Sequence, residues 1–241
     1  MNQIGTIAPG DRAGKSTISA SIRTIRFGRL MWITMIVLCV IGGGVAIRRM
    51  IALAYPPQNP PAQFAGLDEA FAEKRIMTLI HIVPALVLVT LVPFQFSRTF
   101  RNRHLRVHRW MGRTVIILGL IIGVSAIPMV RNPVGGAIEV SCILFFDALF
   151  LLSLTKAYLH IRRGQVAQHR EWMIRAMSVA LGVATVRPIM GIFFATSPLT
   201  GMTPHDFFGI AFWLGFTFTW TVGEMWIRYT RRVLPLALRA T

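Results

Sequence analysis

Acidic residues are scarce in this chain: 9 Asp and Glu stand against 26 Lys and Arg, for a formal net charge of +17. Cysteine is scarcer still. The two that occur, Cys39 and Cys142, both lie inside apolar runs, which leaves no basis for a disulfide framework and makes each a small packing residue. Also missing are a Gly-rich phosphate loop, a Ser/His/Asp order, a CxxC pair and an H-E-x-x-H stretch, so neither a hydrolase nor a nucleotide-driven pump finds support. A cleaved secretory signal is not expected. The stretch before Leu30 is long, and the first apolar run closes on Arg48-Arg49 without a small-residue cleavage site.

What is abundant is apolar length. At 54% hydrophobic residues and a mean hydropathy of +0.58, these 241 residues are too apolar for an ordinary soluble domain. Six segments, Leu30 to Ile47, Ile76 to Phe96, Thr114 to Val130, Ala137 to Leu159, Trp172 to Thr196 and Phe207 to Ile227, each suit a hydrocarbon core of about 30 Å. All Lys and Arg except Arg48, Arg49, Lys74, Arg75, Arg131 and Arg187 fall on one side of that map, and the positive-inside rule makes that side cytoplasmic. Trp32, Trp110, Trp172 and Trp226 sit at the same ends, as indoles at a membrane boundary should. The expectation is an all-α polytopic membrane protein with six transmembrane helices and both termini cytoplasmic. Its domain plan is a disordered cytoplasmic tail over 1–27, a transmembrane domain over 28–230 and a cytoplasmic tail over 231–241. Tyr55-Pro56-Pro57 stops the first helix and opens the long external loop. The basic excess is read as facing anionic lipid headgroups and not nucleic acid; protein partners stay open.

Two similar blocks open the third and fifth segments: His108-Arg109-Trp110-Met111-Gly112-Arg113 and His169-Arg170-Glu171-Trp172-Met173-Ile174-Arg175. As a repeat they would relate helices three and four to five and six by a pseudo-two-fold along the membrane normal; as separate features they are two interfacial Arg/Trp anchors. With His81 in Ile80-His81-Ile82-Val83-Pro84-Ala85, these blocks resemble the bacterial membrane-protein family known as domain of unknown function 2306, over roughly the second span to the sixth. The resemblance implies a polytopic protein, here of the cytoplasmic (inner) membrane, and carries no activity with it. More loosely, His108 followed by Gly112 is similar to the haem-ligating histidines of membrane b-type cytochromes, although here the histidines stand at helix ends.

Two groups of residues have chemistry to offer. His108 and His169, on separate helices at one depth, suit the axial positions of a b-type haem, with Arg109 and Arg170 facing the propionates. Zinc would have to start from His104 and His108 and lacks a completing set of ligands. The plain alternative is interfacial histidines with no ligand. Toward the outer face, His81 lies about 8 Å inside its span, Arg187 about 14 Å and Asp147 about 15 Å, at 1.5 Å per residue. Ionised groups at such depth must pair or line a wet cavity, so Asp147 and Arg187 are expected either to bridge or to form a pocket with His81 for a small anion or a proton. The first group suggests a redox carrier and the second a carrier or sensor. A structural partner of a membrane complex is the third reading, and enzyme activity is undecided.

Overall fold

The computed structural model describes residues 9–58, 68–69, 71–131 and 133–233, with side chains from residue 27 onward. Among these, seven helices follow one another: α1 Pro9–Ala54, α2 Arg75–Phe96, α3 Arg98–Arg103, α4 Leu105–Met129, α5 Gly136–Arg162, α6 Val166–Thr200 and α7 Pro204–Val233. Five of them, counting α1 from Phe27 only, are long and apolar enough to cross a membrane: α1, α2, α4, α5 and α6. The chain is thus an all-helical, polytopic membrane protein. The helix α7 is long at 30 residues but interrupts its apolar stretch with Asp206 and Glu224 and ends on Arg228, Arg231 and Arg232.

The ends of the helices are where turn chemistry puts them. Pro56 and Pro57 follow the end of α1, and Gly164 and Gly201 take left-handed φ values of 72° and 70° after α5 and α6, a conformation that costs glycine nothing. Before α7, with Pro204 at its first position, the Thr203 backbone N–H and hydroxyl both donate to Asp206 Oδ2, at 2.8 and 2.7 Å, so the acid in the first turn supplies the bond back to the start of the helix. The helical backbone of α1 begins at Pro9, inside the stretch expected as a disordered tail. Residues 234–241 of the expected C-terminal tail lie outside the described residues.

The chain divides into two compact units, residues 1–37 and 38–241; the first is described only as the early part of α1. In the second, α6 packs along both α5 and α7, α5 also meets α7, and α4 lies between α2 and α5. Apolar side chains point both ways. Leu88, Val115, Phe146, Phe150, Leu154, Val186, Phe207 and Ile227 are buried between helices, while Val40, Val83, Ile117, Val124, Phe145, Ile192 and Phe218 are exposed. Exposed apolar residues on successive helices have a favourable neighbour only in lipid, so the bilayer is the surrounding partner.

Because lipid removes the hydrophobic drive between helices, close approach through small residues matters more. Gly42, Gly43 and Gly44 are a run of three small residues in α1. Close approaches to a neighbouring backbone occur on α7: a β-carbon on Gly215 would lie 2.6 Å from Val186 Cγ2 and 2.9 Å from its backbone N, and one on Gly209 would lie 2.7 Å from Glu139 N. A β-carbon on Gly42 would meet Ala184 at an ordinary 3.7 Å, and on Gly44 would meet nothing. A ladder of Phe208, Phe212, Phe216 and Phe146 fills the space beside these contacts, with ring centroids 5.0 to 5.9 Å apart.

Candidate functional site

The C-terminal ends of α2 and α5 and the N-terminal ends of α4 and α6 carry two histidines and their partners. Between α2 and α4 the chain makes one short helix, α3, capped by Ser97 Oγ accepting from the Phe100 N–H at 3.3 Å, and this turn carries Arg98 and Arg101 in. Gln95 Nε2 then donates to the His108 carbonyl at 3.2 Å, tying the end of α2 to the start of α4. His108 and His169 occupy equivalent places, each in the first turns of its helix, with backbone N–H groups donating to the carbonyls of His104 and Gln165. The two imidazoles are within electrostatic range of each other.

Their ring nitrogens differ. His169 Nδ1 lies 2.8 Å from the Ala157 carbonyl oxygen; a carbonyl only accepts, so Nδ1 carries the proton and neutral His169 keeps a lone pair on Nε2. His108 Nδ1 is buried with no hydrogen-bond partner, which costs on the order of 1 to 3 kcal/mol unless something supplies one. Arg109 is exposed while Arg170 is half-buried; Arg98, Arg101 and Glu171 act on Arg170, and Arg101 and Arg109 act on His108. Burial and the neighbouring Arg98 hold the Arg101 guanidinium below its ordinary pKa. Arg98 and Arg101 were not singled out from the sequence, where they read only as loop charge. His104 does not join His108: it is exposed and its ring packs against Phe100 at 5.4 Å. Among the described residues no group of three His, Cys, Asp or Glu is disposed to hold a metal ion.

The spacing of Glu171 to Arg175 and of Glu224 to Arg228 is i, i+4 and would let each carboxylate screen an arginine on its own helix. They reach across instead. Arg175 bonds to Glu224 through Nε at 2.5 Å and Nη2 at 3.2 Å, stacking 4.5 Å from the Trp172 ring. Glu171 accepts two bonds from Arg231 of α7, which lifts the Arg231 guanidinium above its ordinary pKa. An inter-helix fork satisfies both carboxylate oxygens, which a same-helix pair rarely does.

His81, Asp147 and Arg187 do not converge. His81 Nδ1 is 3.1 Å from Ser125 Oγ, whose own proton goes to the Ile122 carbonyl at 3.0 Å. Asp147 Oδ1 lies 3.2 Å from where a β-carbon on Gly123 would be. Both groups therefore address one turn of α4, His81 from α2 at Ser125 and Asp147 from α5 at Gly123. No ion pair joins Asp147 to Arg187; the charges that act on Arg187 are Arg49 and Arg48, its Nη1 is 4.0 Å from Met190 Sδ, and its buried Nε has no partner. The similar depths estimated for the pair say nothing of azimuth, and the two side chains leave their helices toward different neighbours.

The carboxylate that does serve arginines here is Asp68. It accepts from Arg48 Nη1 at 3.0 Å and Nη2 at 2.8 Å, and also from Arg49 Nη1. The Arg49 guanidinium lies 4.1 Å over the Phe71 ring. Burial works to raise the Asp68 carboxyl, but the hydrogen bonds and charges of Arg48 and Arg49 prevail and hold it below the usual range. The sequence signal for this cluster was an Arg-Arg pair on the side otherwise poor in base.

No curated protein and no solved structure matches the chain. A family model does match residues 78–227, a stretch that includes His81, His108, Asp147, His169 and Arg187. On that match, the chain belongs to the family described as predicted membrane protein (DUF2306).

Proposed function

We propose that the protein is a membrane redox carrier that holds one b-type haem between His108 and His169. The observation that carries the reading is the His169 Nδ1 bond to the Ala157 carbonyl. It fixes the tautomer and turns a basic Nε2 outward, as the outer-shell hydrogen bonds of ligating histidines do. The unpartnered ring nitrogen of His108 adds a second donor atom in need of a partner, at the matching position of another helix. The residues fit the group: the two neutral imidazoles would hold its iron, and Arg170, Arg101 and Arg109 would neutralise its propionates. Haem, when bound, supplies a one-electron iron couple. The protein's part is to hold the imidazoles in one tautomer, balance the propionates and keep the couple inside the bilayer.

This reading includes six crossings of the bacterial cytoplasmic membrane, with α7 as the sixth and both termini inside. The matched places of His108 and His169 support α4–α5 and α6–α7 as two related helix pairs. The basic cytoplasmic loops then face anionic headgroups. A reporter active only in the cytoplasm should work at the C-terminus; activity there of a periplasm-specific reporter would remove one crossing from the scheme.

The decisive measurement is a visible spectrum of the detergent-purified protein, made with haem supplied. The dithionite-reduced protein should show the sharp α-band of a low-spin b haem, and His108→Ala or His169→Ala should each abolish it. A colourless wild-type protein would eliminate the redox reading. A pocket built from His81, Asp147 and Arg187 together lacks comparable support, since the three face different neighbours.

A further inference from the structure

The two histidines assigned to haem are held very differently. His169 Nδ1 donates to the Ala157 carbonyl at 2.8 Å, and Ala157 is fully buried in α5. The return from α5 to α6 is itself tied down. The Arg163 and Gln165 N–H groups both reach the His160 carbonyl, at 3.1 and 2.9 Å, and Gly164 turns the chain with a left-handed φ of 72°. The His169 ring is thus held to one tautomer and one direction. His108 has its backbone fixed but not its ring. Its N–H donates to the His104 carbonyl at 2.9 Å, and its own carbonyl accepts from Gln95 Nε2 at 3.2 Å. Among the described residues no hydrogen bond reaches either ring nitrogen of His108, and Nδ1 is buried.

An outer-shell bond to a ligating imidazole fixes its orientation and raises its basicity, and losing one costs about 10- to 100-fold in metal affinity. Resting on the haem reading, we infer that His169 is the permanent axial ligand and His108 an exchangeable one, so that reduced haem opens on the His108 side to a neutral diatomic gas. The space released is that of one imidazole, because Gln95 still holds the backbone, so the entering ligand has to be small. Reduced iron with a neutral imidazole opposite favours a ligand that accepts electron density over an anion. The exchange breaks one iron–nitrogen bond and forms one iron–ligand bond; the freed imidazole stays neutral, and neither an electron nor a proton is transferred. Two equally anchored ligands would leave no position open and suit electron transfer alone. Unequal anchoring adds a response to gas, since access to the iron separates ligand binding from electron transfer.

The test uses carbon monoxide on the full-length, haem-loaded, dithionite-reduced protein in detergent. The wild-type low-spin α-band should give way to a carbon monoxide complex. His108→Ala and His169→Ala should both lose the low-spin band but differ in what remains. His108→Ala should keep haem at the wild-type ratio to protein, high-spin and quicker to take carbon monoxide, whereas His169→Ala should release haem to excess apomyoglobin about tenfold faster than His108→Ala does. Nitrogen NMR of the haem-free protein with labelled histidine should show His169 as the Nδ1–H tautomer alone and His108 as a mixture. The inference is overturned, with the redox reading left standing, by a low-spin spectrum that saturating carbon monoxide does not alter, by equal haem loss from the two variants, or by a single tautomer for both rings. The first and last of these need no substitution and so hold even where a variant does not fold. A colourless wild-type protein removes the redox reading and this inference together.

Discussion

Asp68→Ala is expected to destabilise the protein by about 3 kcal/mol, the cost typical of leaving a desolvated charge without its partner. The side chains of Asp68 and Arg49 are only 10% and 11% exposed, whereas Arg48 at 39% can turn to water; the loss therefore falls mainly on Arg49. Acid should have the same effect on the wild type. Since the folded carboxyl is held below its ordinary pKa, the contribution is fully present above the unfolded value of about 3.9 and is lost as pH falls through the folded one. Thermal unfolding in detergent from pH 6 downward should thus show a decline that Asp68→Ala lacks in that window. Parallel pH profiles for the two proteins would show that Asp68 is not the group responsible.

A loss of similar size, about 3 kcal/mol, is expected for Arg175→Leu, and the double change with Glu224→Leu should recover much of it. The reason lies in how closely α6 and α7 approach at this level: a β-carbon on Gly223 would fall 2.2 Å from Ser178 Oγ. With side chains 14% and 23% exposed, neither partner of the fork can be solvated in place once the other is gone, and Trp172 covers the guanidinium face. A double-mutant cycle on unfolding should give a coupling of about 1 to 3 kcal/mol. A coupling near zero would mean that water screens the pair despite its geometry.

Much of this protein was legible because the signals are local. An apolar run of sufficient length, Pro56-Pro57 after the first helix, and Thr203-Pro204 with Asp206 before the last each act through neighbouring residues. The expected segments lie inside α1, α2, α5, α6 and α7, and that in α4 ends one residue beyond it. The candidate sites were only half legible. His108 and His169 stand at matching places, as their similar blocks implied, but the tautomer of His169 depends on the Ala157 carbonyl, which is brought to it by the return of the chain through Gly164. Nothing in a one-dimensional pattern assigns that bond.

The charged pairs show the division most clearly. By itself the sequence determined where the helices are, which side of each holds its charges, and the family to which residues 78–227 belong. Only the tertiary structure decided the partners: Arg175 takes Glu224 and not Glu171, Arg48 and Arg49 take Asp68, and Arg187 turns to Met190 and not to Asp147. Depth along a helix follows from counting residues, but direction changes by about 100° at each one. Whether two groups at one depth meet or turn away is therefore set by how the helices are rotated against each other, and glycine contacts such as Gly215 on Val186 and Gly223 on Ser178 fix that rotation through packing between residues far apart in the chain.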